Sequence, residues 1–172
     1  MPIWPFASSP AVKDAERLLA VVIAASRCPR FYGEGRVPDT LEGRFELLAL
    51  HAGLALFRLR GEADAGPLAQ AFTDRLFRHL DAGLREAGFG DLAVPKRMAR
   101  LAGSFYGRLD AYARALAAGN GPGLEAALAR NIMGTPSHPF AANLASAAAG
   151  AARRQALAPL PALLDTWPAP AD

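Results

Sequence analysis

Apolar residues recur along this chain at helical spacing, and runs of proline, glycine and charge divide them into segments. Ser9-Pro10 opens the first segment, with serine as cap and proline at the first helical position, and the helix runs to about Ser26. Cys28-Pro29 ends it, and a loop rich in glycine and aromatics follows over 31–38. Asp39 is the expected cap of the second helix, with Glu42 three residues later as in a capping box. Leu41, Phe45, Leu48, Ala52, Ala55 and Leu59 make one apolar stripe there, and Leu47, Leu50, Leu54 and Phe57 make another. A helix apolar over so much of its surface is central. Arg44, His51 and Arg58 recur at heptad spacing and form its narrow polar seam.

A turn over 61–66 leads to a third helix from about Pro67 to Ala87. Leu68, Phe72, Leu76, Leu80 and Leu84 step along its inner face, and Asp74 with Arg78 and Asp81 with Arg85 are outer i,i+4 pairs. Gly88-Phe89-Gly90 stops it. The fourth helix, about Val94 to Ala117, has the clearest period: Val94, Met98, Leu101, Phe105, Leu109, Tyr112 and Leu116 share one stripe. Arg97, Arg100, Ser104 and Arg108 form a basic stripe beside it. A glycine-rich loop precedes a short fifth helix, Leu124 to Ile132, and Ser137 is the expected cap of a sixth, alanine-rich helix ending near Arg153-Arg154. The prediction is an all-α fold: a single-domain helical bundle of about six helices with short loops. Its helical core spans about 9–154, and the proline-rich stretch 155–172 reads as a loosely packed tail with one short helix.

Composition agrees. The 172 residues are 52% hydrophobic and 20% charged, enough apolar material for one packed domain and too much for disorder. Alanine dominates while valine, isoleucine and threonine are scarce, which favours helix over sheet. The single cysteine, Cys28, excludes an internal disulfide framework and zinc sites built on paired cysteines. A net charge of +3 permits an acidic partner without demanding nucleic acid. The apolar run from Leu18 to Ala25 is shorter than the roughly 18 residues of a spanning segment. Asp14 and Glu16 ahead of it, and a poor cleavage pattern behind it, oppose a signal peptide. No transit-peptide pattern precedes it, and the expected setting is the cytoplasm of a bacterium.

Motifs for chemistry are sparse. His51, His79 and His138 lack metal-ligand spacing, and no haem-attachment motif is present. His51, in a strongly apolar helix, reads as a hydrogen-bonded core or groove histidine, with haem ligation as the sharper alternative. The glycine loops at 33–35 and 119–123 lack the features of a P-loop or dinucleotide turn, and Ser104 is not in a nucleophile elbow. Asp39, Glu42 and Glu46 could suggest acid–base work, but capping already accounts for Asp39 and Glu42. Lys96, Arg97, Arg100 and Arg108 suit either a solvated face or contact with RNA, anionic lipid or an acidic protein. RNA-module signatures are absent.

Three segments next to helix ends combine charge with aromatics: 38–45, 84–91, and 96–98 running on to 105–108. Gly43 and Gly107 sit inside predicted helices at a cost of about 1 kcal/mol each relative to alanine. Such glycines mark close helix contact or a surface that must stay open, and each is followed by an arginine. The pattern points to a binding groove lined by aromatics and rimmed by arginines.

With these residues in view, the chain resembles the ubiquinol–cytochrome c chaperone family, assembly factors for cytochrome b of respiratory complex III. The resemblance runs from about Phe31 to Asn131, with weaker agreement at both ends. Its elements come in order: Phe31-Tyr32, Val37-Pro-Asp-Thr40, Gly43-Arg-Phe45, Leu50-His51, Asp81, Leu84-Arg-Glu86, Gly88, Gly90-Asp91, Val94, Lys96-Arg97, Phe105-Tyr-Gly-Arg108, Ala111-Tyr112 and Arg130-Asn131. Ala52-Gly53, Leu80 and Met133 depart from it, where bulkier apolar residues, methionine and tyrosine are expected. It also lacks the targeting extension of mitochondrial relatives, in keeping with a bacterial origin.

The resemblance implies a non-enzymatic chaperone that holds newly made cytochrome b until haem insertion and assembly, with no cofactor of its own. It further implies a second assembly factor or the ribosome as partner, while the arginine rim suits peripheral contact with an anionic inner-membrane surface; DNA is not an expected partner. The partner-binding residues expected are Tyr32, Asp39, Thr40, Gly43, Arg44, Phe45, His51, Asp81, Arg85, Asp91, Lys96, Arg97, Phe105, Tyr106, Gly107 and Arg108. Asp39 as a cap and Phe45 as core are the structural alternatives. Two other functions stay open: an RNA- or ribosome-binding helical adaptor, motivated by the face from Lys96 to Arg108, and a small helical enzyme using His51 with a carboxylate.

Overall fold

The computed structural model describes residues 9–167. Its helices are α1 (Pro10–Ser26), α2 (Leu41–Leu59), α3 (Gly66–Glu86), α4 (Val94–Ala117), α5 (Gly121–Leu128), α6 (Pro139–Leu157) and the short α7 (Leu160–Leu163). The all-α prediction holds, with six longer helices and one of a single turn among the described residues. α2 is the central element: it packs against α1, α3, α4 and α6, and nearly every residue from Glu46 to Leu56 is buried. Its two apolar stripes supply this core because both sides of the helix find a neighbour.

The local signals differ from expectation at two caps. Thr40, not Asp39, caps α2: its Oγ1 accepts from Gly43 N–H at 3.1 Å, and its backbone is extended. That register puts Gly43 where a capping box needs a glutamate, so Glu42 closes no box. Asp39 instead accepts from Arg44 at 2.6 Å. His138, not Ser137, caps α6, its Nδ1 accepting from Phe140 N–H at 3.1 Å. α6 also runs past Arg153-Arg154 to Leu157. α3 ends as its glycines predict: Gly88, at φ +88°, donates to Arg85, while Phe89 N–H reaches back to Leu84. Of the two outer pairs on α3, Asp81–Arg85 forms at 2.8 Å, whereas Asp74 accepts from Gln70 rather than pairing with Arg78.

The C-terminal segment is not loosely packed over its described part. Leu163, Leu164 and Trp167 are all buried, and Arg17 holds Asp165 at 2.5 Å. The rest of the predicted tail, 168–172, lies outside the described residues. This docking also undoes part of the polar seam on α2. Arg44 is exposed, but His51 is buried, and the half-buried Arg58 donates to the carbonyls of Gln155 and Ala158.

Candidate functional site

The first half of α2, the C-terminal half of α3 and the first half of α4 do not close on one another. They leave a groove of about 400 Å³, walled at one end by the last turn of α1. Its apolar floor comes from Ile23, Leu41, Phe45, Leu48, Leu80, Leu84 and Leu101. Five arginines stand over that floor: Arg27, Arg44, Arg97, Arg100 and Arg108. Glu42, Glu46 and Glu86 are the acidic groups among them. Helical spacing explains the placement, because Arg97, Arg100, Ser104 and Arg108 lie on one side of α4 while Phe105 and Leu109 turn into the core.

The deepest polar feature is a bidentate pair. Arg108 donates from Nε and Nη2 to the two carboxylate oxygens of Glu46, each at 2.5 Å. Both side chains are mostly buried, and the Phe45 ring lies 5.8 Å from the same guanidinium. Desolvation pushes the Glu46 carboxyl above its ordinary value, outweighing the pull of Arg108. The rim is tied down differently. Arg44 holds exposed Asp39 and lowers its pKa through their hydrogen bond. Arg97 stacks over Phe89, 3.8 Å from the ring centre. Burial also lowers the pKa of His79 in the groove wall.

Of the residues expected to bind a partner, the groove brings together Arg44, Phe45, Arg97 and Arg108. Others support it. Thr40 caps α2, and Gly43 lets the Pro38 carbonyl approach so closely that an added Cβ would lie 2.0 Å from its oxygen. Tyr32 donates its hydroxyl to Ser26 O at 2.8 Å, fixing the end of α1 beside the groove. Asp81 and Asp91 are joined through Arg85 in an exposed network at the α3–α4 corner.

The remaining candidates lie elsewhere. Phe105 is core, edge-on to Phe77 at 5.7 Å. Tyr106 is 52% exposed and lies against Phe77 and Phe105, away from the groove lining. An added Cβ at Gly107 would meet no atom within 4 Å, so this glycine faces open space, unlike Gly43. Lys96 is exposed and does not line the groove. His51 is enclosed in the core, its Nδ1 accepting from Trp167 Nε1–H at 3.3 Å and its ring 5.8 Å from Phe31.

The expected set omitted Arg27, Glu46, His79 and Leu101, which the fold places in the groove. Glu46 carried a signal: a glutamate inside a continuous apolar run needs a buried partner. Its partner lies 62 residues away, beyond the reach of any local pattern. No group of three or more His, Cys, Asp or Glu side chains among the described residues is placed to hold a metal ion. No described helix is long and apolar enough to cross a membrane.

Comparison with known proteins agrees with this organisation. No curated protein matches the chain. The crystal structure of the Cbp3 homolog from Brucella abortus superposes with a TM-score of 0.79 at 42% sequence identity, covering 90% of this chain and 87% of that one. The family model described as ubiquinol-cytochrome C chaperone matches residues 34–168, extending the resemblance well past Asn131 through α6 and the docked C-terminal segment. The chain therefore belongs to the ubiquinol–cytochrome c chaperone family.

Proposed function

We propose that this protein is an assembly chaperone of the cytochrome bc-type complex that holds an apolar segment of newly made cytochrome b in the groove between α2, α3 and α4. One observation carries this reading: an open apolar floor beneath five arginines. Such a surface suits a helix-in-groove contact, in which leucine-like side chains cover the floor and acidic or carbonyl groups meet the rim. The protein works by binding rather than by catalysis, at the cytoplasmic face of the membrane where its client is inserted. A second assembly factor or the ribosome would present that client.

The competing RNA-adaptor reading draws on the same α4 cations. Two of them are already engaged, Arg108 with Glu46 and Arg97 with Phe89, which favours the protein client. Deleting the gene and measuring assembled complex III by haem spectrum and native gel tests the proposal. Complementation with Arg44→Glu/Arg100→Glu is expected to leave the chaperone folded and the complex depleted. Normal complex III in the deletion strain would sink the reading.

A further inference from the structure

The Glu46–Arg108 pair interrupts an apolar part of the groove, where Phe45 and Leu48 of α2 and Leu101 of α4 line the wall with it. Its own bonds spend Nε and Nη2 of the guanidinium and one acceptor site on each carboxylate oxygen. The third nitrogen, Nη1, bonds to no described residue, and each oxygen can accept again. The two side chains keep 18% and 11% exposure, and both residues line the groove. This unspent donor and acceptor capacity is therefore turned toward whatever fills the groove. Ser104, one turn before Arg108 on α4, adds a hydroxyl to the same wall.

A client helix that covers the pair removes its remaining water. Burial already raises the Glu46 carboxyl pKa against the pull of Arg108, and a wholly apolar cover would add to that desolvation. It would also strand the donors of a charged group, which costs more than stranding those of a neutral one. A client carboxylate gains Arg108 but faces Glu46, and a client ammonium the reverse, each with its own charge to desolvate. A neutral group that donates and accepts at once meets both halves of the pair. We propose that Glu46 and Arg108 are the specificity-determining residues of the groove, selecting an apolar client helix that carries one Asn or Gln carboxamide. The amide oxygen accepts from Arg108 Nη1, and the amide N–H donates to a Glu46 oxygen. This selection rests on the groove being the client site, and it names the kind of segment held there. The single polar contact also sets the register of the segment, as one buried polar residue does between paired helices. A site that hydrogen-bonds its ligand rejects an analogue lacking the group far more strongly than an apolar pocket rejects a change of size.

The test uses the full chain and fluorescent Leu/Ala helices of about 18 residues, roughly 27 Å long, with glutamates at both ends to meet the arginine rim. They differ only at one central position, which is Asn, Leu or Asp. The Asn peptide is expected to bind about tenfold or more tightly than the other two. Arg108→Met/Glu46→Leu is expected to abolish that preference, with the Leu peptide bound at least as tightly as the Asn one. Should this variant not fold, the order of the three peptides on the wild-type protein decides alone. Leu or Asp bound as tightly as Asn by the wild type, or an Asn preference that survives in the folded double variant, would overturn the proposal. In either case the groove reading stands if Arg44→Glu/Arg100→Glu still weakens binding of all three peptides. Binding of none of them would overturn the groove reading and this selection with it.

Discussion

The two ends of α2 each carry polar residues, and these meet opposite fates. Near its N-terminus, Arg44 and Glu46 face the open groove, and Glu46 reaches Arg108 there. Further along, His51 and Arg58 both hydrogen-bond to residues of 155–167, Arg58 pairing with Glu62 as well. Helical position alone does not separate a binding residue from a structural one here. What separates them is whether another part of the chain supplies the cover. The closed end is held by Trp167 on His51, and the open end keeps its charges paired across the groove without filling it.

The largest loss is expected at the closed end. Trp167→Ala should cost about 4 kcal/mol in denaturant unfolding, from the lost ring and the stranded His51 nitrogen. A loss below about 1 kcal/mol would mean that the segment contributes little beyond its own ordering. At the open end, Arg108→Ala leaves Glu46 in a mostly buried site without its partner, at a cost of about 3 kcal/mol. Arg108→Met combined with Glu46→Leu should recover most of that stability but not client binding. Thermal melts beside complementation assays separate the two effects.

Gly43→Ala is expected to cost about 2 kcal/mol, because the Pro38 carbonyl cannot withdraw without shifting the start of α2. Gly107→Ala, in open space, should be neutral or stabilising. Equal effects at the two glycines would contradict the distinction drawn between them.

An effect about as large as that of Gly43→Ala concerns pH. Burial lowers the His51 pKa to about 4, below its ordinary value near 6.5. The folded state thus favours the neutral ring, and the unfolded chain binds the proton more readily. Stability from this residue is present above pH 6.5 and is lost as pH falls toward 4, by about 2 kcal/mol between pH 7 and 5. His79, lowered in the same direction, adds to the slope. His51→Asn, which keeps an acceptor near the Nδ1 position, should flatten it, as read from unfolding free energies across that range.

The bundle was legible in the sequence because its signals are local. Apolar period, Ser9-Pro10 and the Gly88 stop place α1 to α4 within a residue or two, whereas α5 starts three residues before the expected Leu124 and α6 ends three residues past Arg154. Thr40 and Asp39 are adjacent and chemically equivalent as caps, so only the backbone register decides between them. Much of the site was not legible. Arg44, Phe45, Arg97 and Arg108 were recoverable because they belong to the short charged and aromatic segments 38–45, 96–98 and 105–108. Glu46, His79 and Arg27 enter only when three helices converge. Burial of His51 depends on Trp167, 116 residues away, in a stretch whose prolines suggested loose packing.

The most direct test of the client groove is photo-crosslinking in cells from two positions on α4. A photoreactive residue at Arg100 lies in the groove, and one at Tyr106 is exposed outside its lining. The account predicts a cytochrome b adduct from Arg100 and none from Tyr106. An adduct from Tyr106 alone, in cells with normal chaperone levels, would contradict it.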